Sequence, residues 1–179
     1  MKYFCHPRFV LVWIALIASI ILGQTAKANE NDFKCGFSDG EYATSVRTSR
    51  GWSPLVRWVH YTSAEWTPEK RCVTVTNRFQ GLADNGWLNY IKGGEVNNLP
   101  VLCGVEATGE EYQCNDKNLL LTLSPGTDPD EARDRLLDTR AREKNIILDL
   151  SDDKKLTSFV DGETYVNFNM LKKIIEEHE

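Results

Sequence analysis

Histidine is scarce in this chain, with three among 179 residues, His6, His60 and His178. They are far apart in sequence, so local spacing offers neither a paired-imidazole metal site nor a compact nucleophile–histidine arrangement. A Cys-x-x-Cys pair is absent, which removes the commonest zinc and dithiol redox signatures. The apolar run at residues 9–22 has 14 residues, short of the 18 or more expected of a membrane-spanning helix. No run of five basic residues occurs, so the chain lacks the usual footprint for phosphate backbones or anionic headgroups. Repeats and low-complexity tracts are also missing, which argues against solenoids and disordered linkers.

What is present begins with export. Lys2 and Arg8 precede the apolar run, and Ala26-Lys27-Ala28 places small residues at both cleavage-recognition positions. This pattern predicts a secretory signal peptide over residues 1–28, with an uncleaved anchor as the alternative reading. Residues 29–179 then form a single mature domain of 151 residues, large enough to bury roughly two-thirds of its unfolded surface around one core. Loss of Lys2, Arg8 and Lys27 lowers the 21 basic residues to 18 against 26 acidic ones, a formal charge of −8. Such a surface repels nucleic acid and allows at most peripheral membrane association. The expected destination is periplasm, thylakoid lumen or medium.

Cys5 leaves with the signal and lacks the context of a lipoprotein cysteine. Cys35, Cys72, Cys103 and Cys114 remain. An even count in an exported chain reads as two disulfides, for which three connectivities exist. Pairing Cys103 with Cys114 closes a short loop containing Gly109 and leaves Cys35 for Cys72, and this is the framework we expect.

Residues 41–47 and 55–61 are rich in β-branched and aromatic side chains and read as strands joined through Thr48 to Pro54. Thr67, Pro68 and Glu69 form a helix start, and Cys72, Val75, Thr76, Phe79, Leu82 and Ala83 recur at helical spacing up to a stop near Gly86. Residues 87–91, 100–107 and 118–123 are further strands, with Gly93-Gly94 as a separator. Asp128 and Pro129 open a second helix with Arg140, Arg142 and Lys144 toward its far end. Residues 151–161 read as a loop, 164–168 as a strand and Leu171, Ile174 and Ile175 as one face of a terminal helix. The expected class is α+β: a mostly antiparallel sheet with two or three helices packed on one face, stabilised by disulfides.

An ordered set of motifs supports a family likeness. It comprises Phe33-Lys34-Cys35-Gly36, Arg50-Gly51, Arg57-Trp58, Thr67-Pro68 leading to Arg71-Cys72, and Arg78-Phe79-Gln80. The segments from Asn98 to Cys103 and from Leu119 to Pro129, with Cys114 between them, continue it. In this order they resemble the COP23 domain family of cyanobacteria, named for the circadian oscillation of a member, over residues 33–137. The resemblance implies an exported domain and brings no activity or catalytic residues with it.

Gly36-Phe37-Ser38-Asp39-Gly40 fits the G-x-S-x-G pattern of a nucleophile elbow, which needs a strand before the serine and a helix after it. We expect neither, and read the motif as a turn. His60 is placed within a strand and His178 at a frayed end, so neither makes a base. Asp128, Asp130 and Glu131 are explained by helix capping, and Asp152 and Asp153 by a solvated loop, so no metal or other cofactor is implied. Four tryptophans of the expected mature chain, Trp52, Trp58, Trp66 and Trp87, are the remaining signal. Trp58 is read as core, whereas Trp52, beside Arg50, and Trp66 fall in expected connections, where binding residues concentrate. The candidate binding residues are therefore Arg50, Trp52 and Trp66, with no catalytic residue. The function expected is a non-catalytic exported domain that binds a protein or a cell-envelope component. The alternatives are a carboxylate-pair hydrolase of envelope polymers and a structural envelope protein without a defined ligand.

Overall fold

Two-residue hairpins organise the strands. Asp39 and Gly40, Asn97 and Asn98, and Asp161 and Gly162 all have positive φ, the geometry of the type I′ turn whose twist matches that of paired strands. The computed structural model describes residues 32–59, 64–143 and 156–178, with side chains other than those of 137–143 and 178. The expected signal peptide, His60 and Lys144 lie outside the described residues. Within this range run β1 (Phe33–Ser38), β2 (Glu41–Thr48), β3 (Gly51–Trp58), α1 (Pro68–Asp84), β4 (Tyr90–Val96) and β5 (Leu99–Val105). They are followed by β6 (Leu119–Thr122), α2 (Pro129–Glu143), β7 (Thr157–Val160), β8 (Glu163–Asn167) and α3 (Phe168–His178).

The class is α+β and every strand pair is antiparallel, but there are two sheets where one was expected: β1-β2-β3 and β6-β5-β4-β8-β7. One core joins them. Phe33, Val46 and Trp58 of the first sheet, Phe79 of α1, Leu102 of the second sheet and Leu171 of α3 all belong to it. A helix with apolar positions at i, i+3, i+4 and i+7 has a stripe wide enough to serve both sheets, and Cys72, Val75, Thr76, Phe79 and Leu82 supply it. The helix ends are set by side chains. Thr67 Oγ1 accepts from the Lys70 amide at 3.2 Å, Asp128 Oδ1 from Asp130 at 2.8 Å, and Asn167 Oδ1 from Met170 at 3.0 Å, each satisfying an otherwise orphaned N–H.

Several expected boundaries move. β4 begins at Tyr90 rather than Trp87, because the amides of Gly86 and Trp87 are consumed in closing α1, donating to Ala83 and Leu82. Gly93 and Gly94 lie inside β4. A Cβ on Gly94 would stand 2.5 Å from Cys114 Sγ, and one on Gly93 2.9 Å from Pro129 and Asp130, so close approach rather than a turn requires glycine there. β3 begins at Gly51, with Leu55 as the extra residue of a bulge that accommodates Pro54 on an edge strand. Residues 157–160, expected as loop, form β7.

The second sheet has a second, smaller cluster on its other face. Cys103, Val105 and Tyr165 are buried there with Tyr90, Tyr112 and Cys114 packed around them. Among the described residues no helix covers this cluster; the connection from β5 to β6 does, held by the Cys103–Cys114 disulfide.

Candidate functional site

Both expected disulfides form: Cys35 joins Cys72 and Cys103 joins Cys114, each with Cα atoms 5.6 Å apart. The first fastens β1 to α1, and the second lies across the face of β4 at Gly94.

The three candidate binding residues separate. Trp52 is in strand β3 rather than in a connection, directly opposite Arg47 of β2. Alternation places Lys34, Arg47 and Trp52 on the face of the first sheet turned away from α1. There the Lys34 ammonium lies 4.5 Å and the Arg47 guanidinium 5.0 Å from the Trp52 ring centre, within the range of cation–π attraction. Arg50 is exposed in the two-residue turn just before β3, whose Ser49 amide donates to Glu176 of α3 at 3.1 Å. Arg50 and Trp52 therefore share one end of the sheet. Trp66 is at the other: it is 42% exposed and stacks with Lys70, 4.9 Å away. Lys70 is followed by Arg71, which lies over Trp58 at 4.7 Å. From Trp52 to Trp58 the strand extends about 20 Å at roughly 3.3 Å per residue.

Trp58 is core, as read: it is 5% exposed, and its indole donates to Thr44 Oγ1 at 3.1 Å, a hydroxyl that also accepts from Thr76 at 3.0 Å. The Ser38 motif needs one correction. A strand, β1, does precede the serine, but β2 follows where an elbow requires a helix. Ser38 stands at the mouth of a hairpin.

The sequence reading missed a buried ionic network. Lys92, Cys103 and Tyr165 are register neighbours across β4, β5 and β8. Lys92 is 1% exposed, forms an ion pair with Glu163, and also donates to the Tyr112 carbonyl at 3.4 Å. The Tyr165 hydroxyl donates to Glu163 Oε2 at 2.8 Å and meets the Gly109 backbone at 3.2 Å. Burial pushes the Glu163 carboxyl up, but the bonds from Lys92 and Tyr165 outweigh it and hold the group below the usual carboxylate range. Burial and the Glu163 bond push the Tyr165 phenol up. A carboxylate held ionised and a phenol held neutral form a charge-compensated clamp on the β5–β6 connection, the opposite of a poised general acid. Lys92 and Glu163 are 71 residues apart, and nothing in the sequence links them. Among the described residues, no three His, Cys, Asp or Glu side chains converge as a metal-binding group.

A family model described as circadian oscillating protein COP23 matches residues 32–173. The chain belongs to this family. The COP23 match extends past the motifs that first pointed to it and takes in β7, β8 and most of α3, so the Glu163–Tyr165 half of the clamp falls within the family domain. No curated protein and no solved structure matches the chain.

Proposed function

We propose that this COP23 protein is a non-catalytic, exported binding domain, and that it engages a protein or cell-envelope component through the Trp52 end of its first sheet. The observation that supports this reading is the Trp52 ring on the outward face with two cations over it and Arg50 exposed beside it. A rigid aromatic ledge edged by guanidinium and ammonium groups provides contact area at low entropic cost, together with donors that suit carboxylate or phosphate groups on a partner. The disulfide framework favours an oxidising compartment, and no helix among the described residues is long and apolar enough to cross a membrane. The acidic surface disfavours nucleic acid. Trp66 forms no part of this ledge.

The test is capture of envelope material by the purified disulfide-bonded protein, compared with Trp52→Ala and Arg50→Ala. Both variants are expected to lose capture while melting near the wild type. Undiminished capture by both would refute the reading.

A further inference from the structure

We infer that the two disulfides differ in kind. Cys35–Cys72 is structural, whereas Cys103–Cys114 is a redox latch: a dithiol reductant opens it, releases the connection from β5 to β6 and uncovers the Lys92–Glu163–Tyr165 network beneath.

The difference lies in what holds each cysteine once its bridge is open. Cys35 stays in the β1–β2 ladder opposite Thr44, and Cys72 stays buried in the second turn of α1. Phe33 and Phe79, on the same two elements, pack with ring centres 5.2 Å apart. Opening this bridge therefore leaves two thiols that the core still holds face to face. Cys103 is fixed as well, buried in β5 with Lys92 directly opposite. Cys114 is the exception. It lies outside every helix and strand, and among the described residues its backbone takes part in no hydrogen bond.

The rest of the connection is lightly fastened. Lys92 reaches the Tyr112 carbonyl at 3.4 Å, and the Tyr165 hydroxyl meets the Gly109 carbonyl at 3.2 Å and its amide at 3.3 Å, all at the long end of hydrogen-bond distances. Nearer β6 the hold is firmer: the Gly104 amide donates to the Asn118 carbonyl at 2.9 Å and the Asn115 amide to Asn118 Oδ1 at 2.7 Å. This turn is the hinge, and residues 106–114 are the part that lifts. Segments with few internal bonds open first, so the reduced Cys114 leaves Cys103 and the effective concentration for re-closure falls. A disulfide whose thiols the fold aligns less tightly is the one a given reductant opens more readily.

The chemistry runs from the accessible side. Cys114 is the half-buried member of the bridge and Cys103 is fully buried, so the reductant's thiolate attacks Cys114 Sγ. The S–S bond breaks and its electron pair leaves on Cys103 Sγ, at the strand position facing Lys92, where a buried ammonium favours a thiolate. The reductant's second thiol attacks the mixed disulfide and frees Cys114. The two cysteines have then gained two electrons and two protons, and the dithiol has become a disulfide. With residues 106–114 lifted, Lys92 and Tyr165 lose their bonds to Tyr112 and Gly109 and meet water. This latch is independent of the Trp52 ledge.

The experiment equilibrates the purified, fully oxidised protein with buffers of graded reduced-to-oxidised dithiothreitol, alkylates free thiols and maps them by mass spectrometry. Cys103–Cys114 is expected to open at a ratio at least about tenfold lower than Cys35–Cys72, equivalent to a potential about 30 mV higher. Glutathione, trapped as a mixed disulfide, is expected on Cys114. Hydrogen exchange of the selectively reduced protein should rise in residues 106–114 and in β8 around Tyr165, with α1 and β2 unchanged. The double variant Cys103→Ser with Cys114→Ser should show the same pattern without reductant, which separates the latch from any opening of Cys35–Cys72. The proposal is overturned if Cys35–Cys72 opens first or at the same ratio, or if glutathione is found mainly on Cys103. It is equally overturned if exchange of residues 106–114 does not rise in either form, or if protection is lost throughout the domain in both.

Discussion

Replacing Glu163 by Gln is the sharpest perturbation of the clamp beneath the β5–β6 connection. The change keeps the shape and removes the charge, leaving the Lys92 ammonium, 1% exposed, with only neutral acceptors. Stranding one member of a fully buried pair costs about 3–5 kcal/mol. The Glu163 side chain is 38% exposed, so water relieves part of this, and about 2 kcal/mol is expected. For a domain of this size that lowers Tm by about 4–8 °C. The pH dependence has a definite sign. A carboxyl whose folded pKa is depressed contributes stability that is complete above its unfolded value of about 4.3 and is lost as pH falls through the lower folded value. The Tm gap between wild type and Glu163→Gln is therefore constant at neutral pH and closes only in acid. Combining Glu163→Gln with Lys92→Met removes both charges and is expected to recover stability to within about 1 kcal/mol of wild type. The assay is thermal unfolding followed by circular dichroism with the disulfides intact, from neutral pH into acid. A single variant that melts with the wild type, or a double variant as unstable as the single, would refute the clamp.

Gly94→Ala places a methyl group against Cys114 Sγ and is expected to destabilise by about 1–3 kcal/mol; denaturant melts should show the loss shrinking when Cys103 and Cys114 are both alanine, because the clashing sulfur is then gone. Opening Cys35–Cys72, which spans 37 residues, is expected to cost about 4 kcal/mol on the chain-entropy model, against about 3 for Cys103–Cys114, which spans 11. Paired Cys→Ala variants rank the two by denaturant midpoint. Ser38→Ala leaves labelling by a fluorophosphonate probe unchanged at background, since a hairpin does not activate the hydroxyl; labelling that disappears with the substitution would reverse the non-catalytic reading. Trp58→Ala is expected to lose about 3–5 kcal/mol as a core truncation, whereas Trp52→Ala melts within about 1 kcal/mol of wild type, as surface substitutions do.

The sequence by itself determined the features that depend on neighbours along the chain. Helix α1 was legible from Thr67-Pro68 to Gly86 because capping groups and a 3.6-residue stripe are local, and the start of α2 at Asp128-Pro129 for the same reason. The α+β class and the two-disulfide framework were also legible, the latter because the four cysteines that follow the expected signal peptide leave few pairings. The Asp39-Gly40 and Asp161-Gly162 hairpin signals were present too, although β1 and β7 were not recognised from them.

The tertiary structure decided whatever depends on approach between distant segments. Gly93-Gly94 resembles a break in sequence, and only the packing of Cys114 and Pro129 against β4 shows that missing side chains are what allow that strand to pass. The split into two sheets follows from the way α1 shares its apolar stripe between them, which no local pattern encodes. Arg50, Trp52 and Trp66 lie close in sequence, yet an extended strand carries Trp52 and Trp66 to opposite ends, while Lys34 and Arg47 come to Trp52 through strand register alone. The Lys92–Glu163–Tyr165 clamp is the furthest from legible: a lysine in a strand is ordinarily solvated, and its burial depends on a carboxylate 71 residues away arriving on the neighbouring strand.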